Sequence, residues 1–222
     1  MDEIKIDRII RSKRRSIALV MSSDATLIVR APMRISLEYI QNLVFQKRSW
    51  IEKRRRQILK NGGPTKSKEF ADGENFLYLG ESYELKIAEC KAIDLKNQLY
   101  FPEKFLKKAR EKMIKWYKKE AQEIITERAK IYSQISGWQF KSISITSANT
   151  RWGSCSPSGS INFPWKLIMA PLHIVDYVVV HELAHIPEKN HSKRFWKKVE
   201  LILPDYKIRR KWLKENGNKF KI

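Results

Sequence analysis

The stretch "HELAHIPEKNH", residues 181–191, constrains this chain more than any other and holds three of its four histidines. It closes the segment "APLHIVDYVVVHELAHIPE", in which Pro171 suits a first helical position. Ile174, Val178, His181 and His185 recur at steps of four, three and four, so they share one helix face. Positions four apart lie ~40° apart around a helix and ~6 Å apart along it, so two imidazoles so placed converge on one point. Glu182 sits ~100° round the helix, too far to join them easily but close enough to reach a water held there. Pro187 must end the helix, and Asn190 tolerates a left-handed turn. His191 can then swing back, anchored by Ser192 as N-cap of "KRFWKKVELIL". The spacing therefore predicts a helix, a break and a second helix arranged around one ion. His181, His185 and His191 are its candidate ligands, and Glu182 is the candidate acid/base. Core histidines would instead leave three imidazoles clustered without an acceptor for each.

The remaining histidine, His173, lies ~80° off that face and reads as a helix-start or surface residue. Asp176, Cys155 and Asn149 are candidate partners for a ligand imidazole. Cys90 and Cys155 form no Cys-x-x-Cys pair, so neither a disulfide framework nor a thiolate zinc site is signalled. The N-terminus has no signal pattern, and the longest uncharged apolar run, "LIMAPLHIV", is far short of a membrane span. A cytoplasmic protein is expected.

Charge is the loudest compositional feature. Lys plus Arg number 45 against 24 Asp plus Glu, a net +21, with clusters at "RSKRR", "KRSWIEKRRR" and "KKAREKMIKWYKK". A nucleic acid or nucleotide partner is one reading, and solvated helix faces are the other.

The expected fold class is α+β. "SIALVMS" and "ATLIVRAP" read as strands joined by "SSD", and Ser36 as N-cap of one long helix to about residue 59. "NGGPTKSK" (61–68) reads as a linker. "FLYLGESYELKIAE" reads as a hairpin turning near Gly80, followed by a short pair around "AIDL" and "QLYF". One or two long helices follow from Glu103 to about Ser136. "KSISITSANTRWGSC", the turn "SPSG" and the returning strand "SINFPWKLIM" come next, and Pro164 puts that strand at or near a sheet edge. The division expected is a β-rich basic region over 1–101 and a catalytic core over 102–222.

"RWGSCSPSGSINFPWKLIMAP" and "YVVVHELAHIPEKNHSKRFWKKV" resemble the YgjP-like metal-dependent hydrolases, relatives of the SprT-like zinc metallopeptidases. Many members carry Arg-His-Pro after the second motif histidine, where this chain has "IPEKN", but the third histidine keeps its spacing. The resemblance implies a minimal gluzincin-like core of helices on a short sheet. It also implies one Zn²⁺ held by His181, His185 and His191, with Glu182 as catalytic acid/base. Both a peptidase and a nucleotide pyrophosphatase activity are attached to the group. The histidine spacing equals that of the metzincins too. Their turn needs a Gly where this chain has Glu188, and their Met-turn is impossible because every Met lies upstream.

Three neutral imidazoles leave zinc one position for water, whose pKa the cation lowers towards ~7. The expected activity is peptide-bond hydrolysis, with peptide or unfolded protein as substrate and Glu182 shuttling the proton. Arg151, or backbone N–H groups around Trp152–Ser154, would stabilise the oxyanion. An edge strand near Trp152 or Phe163 would pair an extended peptide. One alternative is a nucleoside triphosphate pyrophosphatase, favoured by charge but not by a three-histidine donor set. Another is a basic nucleic-acid-binding module with a structural metal, which an open three-ligand site beside Glu182 argues against.

Overall fold

The computed structural model describes residues 4–22, 25–60, 68–220 and 222. The chain forms two compact units, Met1–Lys66 and Ser67–Ile222. The division expected at 101/102 therefore falls earlier. Phe70, Phe76, Leu85, Leu99 and Phe101 are buried in the same core as the long helix that follows them, so these strands belong to the second unit. The expected linker lies, except for Lys68, outside the described residues, as do Ser23 and Asp24 of the first turn.

In the first unit, strands β1 (Arg8–Ser12), β2 (Ala18–Met21) and β3 (Leu27–Pro32) form a sheet in the order β1-β3-β2. β3 runs parallel to β1 and antiparallel to β2. Leu27, Val29 and Ala31 alternate inward on β3, the period expected of a half-buried strand. They meet Ile40, Val44 and Ile51 from helices α1 (Leu37–Gln46) and α2 (Arg48–Lys60). Ser36 caps α1, its Oγ accepting from the Tyr39 N–H at 3.2 Å. The single helix expected here breaks at Lys47 (φ −99°, ψ 12°). The buried stripe Ile40, Val44, Ile51, Ile58 runs on through the break, which is why periodicity does not reveal it.

In the second unit, β4 (Asn75–Tyr78), β5 (Glu81–Ala88), β6 (Asp94–Leu95) and β7 (Leu99–Pro102) form a sheet in the order β4-β5-β7-β6. A 3-10 turn, Glu103–Lys108, leads into α3 (Ala109–Ser136). Ala109, Met113, Tyr117, Ala121, Ile125, Ala129 and Ser133 are buried at steps of four, one continuous face. Gly137, at φ +75°, ends α3 in the left-handed cap that glycine accepts without strain.

A second small sheet, β8 (Ser142–Thr146), β9 (Ser154–Cys155) and β10 (Ser160–Pro164), has the order β8-β10-β9. β10 is thus the central strand, and its Phe163 is fully buried, against the edge position expected from Pro164. Pro164 is tolerated because it is the last residue of the strand. β9 pairs only with Ile161 and Asn162, so no rung from β9 is lost there. After Pro164 the expected strand becomes a 3-10 turn, Trp165–Met169.

Helices α4 (Leu172–Ala184), α5 (Lys193–Ile202) and α6 (Tyr206–Asn216) complete the unit. From Ile174 to Ala184, α4 is buried on every side except at His181, as suits a helix enclosed by others. Its start is held by the β4–β5 turn: Leu79 and Gly80 N–H groups donate to the Ile168 and Met169 carbonyls. Gly80 has φ +89°, and a Cβ there would lie 2.7 Å from Pro171 Cγ, so both its conformation and its close approach require glycine. Arg128 of α3 grips Asp176 of α4 with two bonds, Nε–Oδ1 at 2.6 Å and Nη2–Oδ2 at 2.9 Å. The structure is thus α+β, with helices packed on small sheets.

Candidate metal centre

His181 and His185 project from the last turn of α4, as their spacing requires. The helix then tightens: His185 and Ile186 N–H groups donate to the Glu182 and Leu183 carbonyls, three residues back. The chain turns through Pro187–Asn190. Ser192 restarts it as N-cap of α5, accepting from the Phe195 N–H at 3.3 Å. His191 stands directly before this cap. The break, turn and cap read from the sequence are all present, and they bring the three imidazoles together. Ring centroids lie 5.1 Å apart for His181–His185, 4.9 Å for His181–His191 and 4.8 Å for His185–His191.

One nitrogen from each ring lies within 4.8 Å of the others, the one metal-competent group of three among the described residues. Tetrahedral zinc with nitrogens at ~2.0–2.1 Å spaces its ligand atoms ~3.4 Å apart, so small ring rotations suffice to bind it. The Nε2 atoms of His181 and His191 face each other at 3.0 Å. His185 Nδ1 lies 3.1 Å from the Glu188 carbonyl, so its N–H donates there and Nε2 keeps its lone pair for an ion. His181 Nδ1 is buried without a partner. Burial, then the neighbouring His185, His191 and Arg210, pushes the His181 pKa down to about 3. Burial lowers that of His185 also. Both rings are therefore neutral near pH 7, the form that ligates a metal. The donor set fits a divalent ion of the zinc type.

Glu182, the next residue of α4 after His181, is not part of that group of three. It is only 5% exposed, and burial raises its pKa to about 7, opposed by the charge of Arg151. A buried carboxyl so placed can accept and return a proton.

The other expected residues separate. Asp176 does not support a ligand histidine; its carboxylate is taken by Arg128. Asn149 is exposed and accepts from Lys166 Nζ at 2.7 Å. Cys155, on the edge strand β9, lies where the charges of Glu182 and Lys189 act on its thiol, and burial is the larger effect, raising its pKa. His173 is exposed near the start of α4, with its carbonyl accepting from Arg209. Arg151 is exposed.

Residue-by-residue reading of the sequence missed the floor of the site. Phe195, fully buried, lies 5.0, 4.6 and 4.8 Å from the ring centroids of His181, His185 and His191. Trp196 stacks on His191 at 5.6 Å, and Tyr206 and the Arg210 guanidinium pack on Trp196. The available signal was position: residues three and four after the N-cap face the residue before it.

Two imidazoles from one helix, a third across a turn and a buried carboxylate beside them define a metal-dependent hydrolase. Residues 15–216 match the family model described as YgjP-like, metallopeptidase domain, and the chain belongs to that family. No curated protein matches the sequence. Among solved structures, the crystal structure of the metallopeptidase zymogen of Pyrococcus abyssi abylysin is similar at 21% identity and a TM-score of 0.38. The alignment covers 41% of this chain and 93% of that one, a likeness too low to argue from. No described helix is long and apolar enough to cross a membrane.

Proposed function

We propose that this protein is a zinc peptidase that cleaves extended peptide or unfolded protein. The observation carrying the proposal is the convergence of three imidazoles with a buried carboxyl on the next residue of the same helix. His181, His185 and His191 hold the ion, and the Glu188 carbonyl fixes the His185 tautomer. Bound zinc supplies Lewis acidity, activating a water and polarising the scissile carbonyl. Glu182 takes the proton of the attacking water and returns it to the leaving amine. β9 is an edge strand, and an extended peptide pairs with it by strand addition. Arg151, whose charge reaches Glu182, stabilises the developing oxyanion.

A second reading keeps the ion and changes the substrate to a nucleoside triphosphate. It is favoured by the cations whose charge reaches the site: Arg151 at Glu182, Lys189 at His185 and Arg210 at His181. The exposed Lys53, Arg54 and Arg56 of α2 support polyanion binding by the first unit as well. The deciding experiment compares fragment formation from an unfolded protein with pyrophosphate release from nucleotides, using Glu182→Gln as the blank for both. Glu182-dependent proteolysis is expected. Pyrophosphate release without proteolysis selects the second reading.

A further inference from the structure

Gly153 precedes β9 and has no positive φ, so its backbone would accept alanine. The space would not. A Cβ built there lies 2.4 Å from Glu182 Oε1, 2.5 Å from Cγ and 2.6 Å from Cδ. All three atoms belong to one buried side chain of α4, so an added methyl would have to displace it. The glycine is therefore a wall built for Glu182.

The neighbouring residue is fixed in a similar way. Trp152 packs edge-on against Phe220, with ring centroids 5.6 Å apart. Its ring closes on Gly217, where a Cβ would come 2.5 Å from Cζ2. Gly217 has ordinary helical dihedrals (φ −60°, ψ −21°), so glycine is again required by space alone. Phe220 is itself buried and lies 6.2 Å from Trp212 of α6. A chain of contacts thus runs from α6 and the turn Gly217–Lys219, through Trp152 and Gly153, to the Glu182 carboxylate.

We propose that Trp152 and Gly153 are positioning residues for Glu182, and that the C-terminal turn with Phe220 clamps them in place. The inference deepens the reading of Glu182 as the proton-transfer group and rests on it for its kinetic part. A long carboxylate side chain has several rotamers. Pressed against a backbone with no Cβ, it keeps one, and the clamp holds that backbone still.

The test uses the full-length zinc-loaded protein and fluorescein-labelled casein. Gly153→Ala should keep its zinc and its KM within about twofold but lose about 100-fold in kcat, the scale of a 1 Å misplacement. Phe220→Ala should also lower kcat with zinc retained. A structural readout separates this from the catalytic assignment. Gly153→Ala should lower the Tm of the parent but not that of Glu182→Ala, because the new methyl fills the volume that substitution vacates. A Gly153→Ala protein with parental kcat, or one losing the same Tm in both backgrounds, overturns the proposal. If Gly153→Ala does not fold in the parent, the Glu182→Ala background must restore folding, and failure to do so overturns it equally. Unchanged kcat in Phe220→Ala removes the C-terminal clamp. If Glu182→Gln is fully active while the Tm coupling holds, the proton-transfer reading fails and the contact stands.

Discussion

Phe195→Ala should damage the protein in two separable ways. The ring is fully buried and lies within 5.0 Å, centroid to centroid, of all three clustered imidazoles. Truncating a buried Phe costs about 3–5 kcal/mol, from lost transfer free energy and from the cavity left behind. Against a typical domain stability of about 5–15 kcal/mol, that is a large fraction. The assay is urea unfolding in the presence of a chelator, followed by tryptophan fluorescence. Six of the seven tryptophans lie in the second unit, so the signal reports the unit that holds Phe195. The midpoint should fall with little change in slope. Phe195→Leu keeps most of the volume and should cost less than about 1.5 kcal/mol, so it can be loaded with metal. Its zinc affinity should drop about tenfold, because the imidazoles lose the flat surface that orients them. A loss below about 1 kcal/mol for the alanine variant refutes the packing argument. Parental zinc affinity in the leucine variant refutes the orienting role.

Arg128→Met leaves the Asp176 carboxylate buried without its cation and should cost about 3–5 kcal/mol in the same assay, with recovery when Asp176→Leu is added. Gly80→Ala meets both a φ of +89° and Pro171, and should lose more than about 1 kcal/mol, measured as a lower urea midpoint. The metal-free protein should also show a specific pH dependence. Burial raises the Glu182 pKa from 4.5 to about 7, so between those values the folded state binds more protons than the unfolded state. Stability relative to Glu182→Gln should therefore fall as pH rises from 4.5 to 7, by up to roughly 3 kcal/mol. A difference independent of pH would mean that Glu182 titrates normally.

The histidine cluster was legible because its geometry is local. The step of four between His181 and His185, Pro187 as a stop and Ser192 as a cap all act within a dozen residues, and backbone rules alone place them. The hairpin turn at Gly80 and the long helix ending at Gly137 were legible on the same ground. Non-local choices were not. Pro164 carries the same sequence signal at a sheet edge as at the end of a central strand, and only the length of β9 decides between them. Asp176 looked like a partner for a histidine until α3 brought Arg128 to it from 48 residues away. Gly153 has no special φ to betray it, since its role depends on a side chain from another element. The split at Lys47 is hidden for a different reason: an apolar stripe that continues through a break looks the same as an unbroken helix.

The central claim is that three imidazoles and no other side chain hold the ion. X-ray absorption at the zinc edge of the purified protein tests it most directly. The expected spectrum shows three imidazole nitrogens at about 2.0–2.1 Å and one further oxygen at a similar distance. His191→Ala should reduce the imidazole count to two. A sulfur scatterer at about 2.3 Å would bring Cys155 into the shell and contradict the account. So would an unchanged imidazole count in His191→Ala.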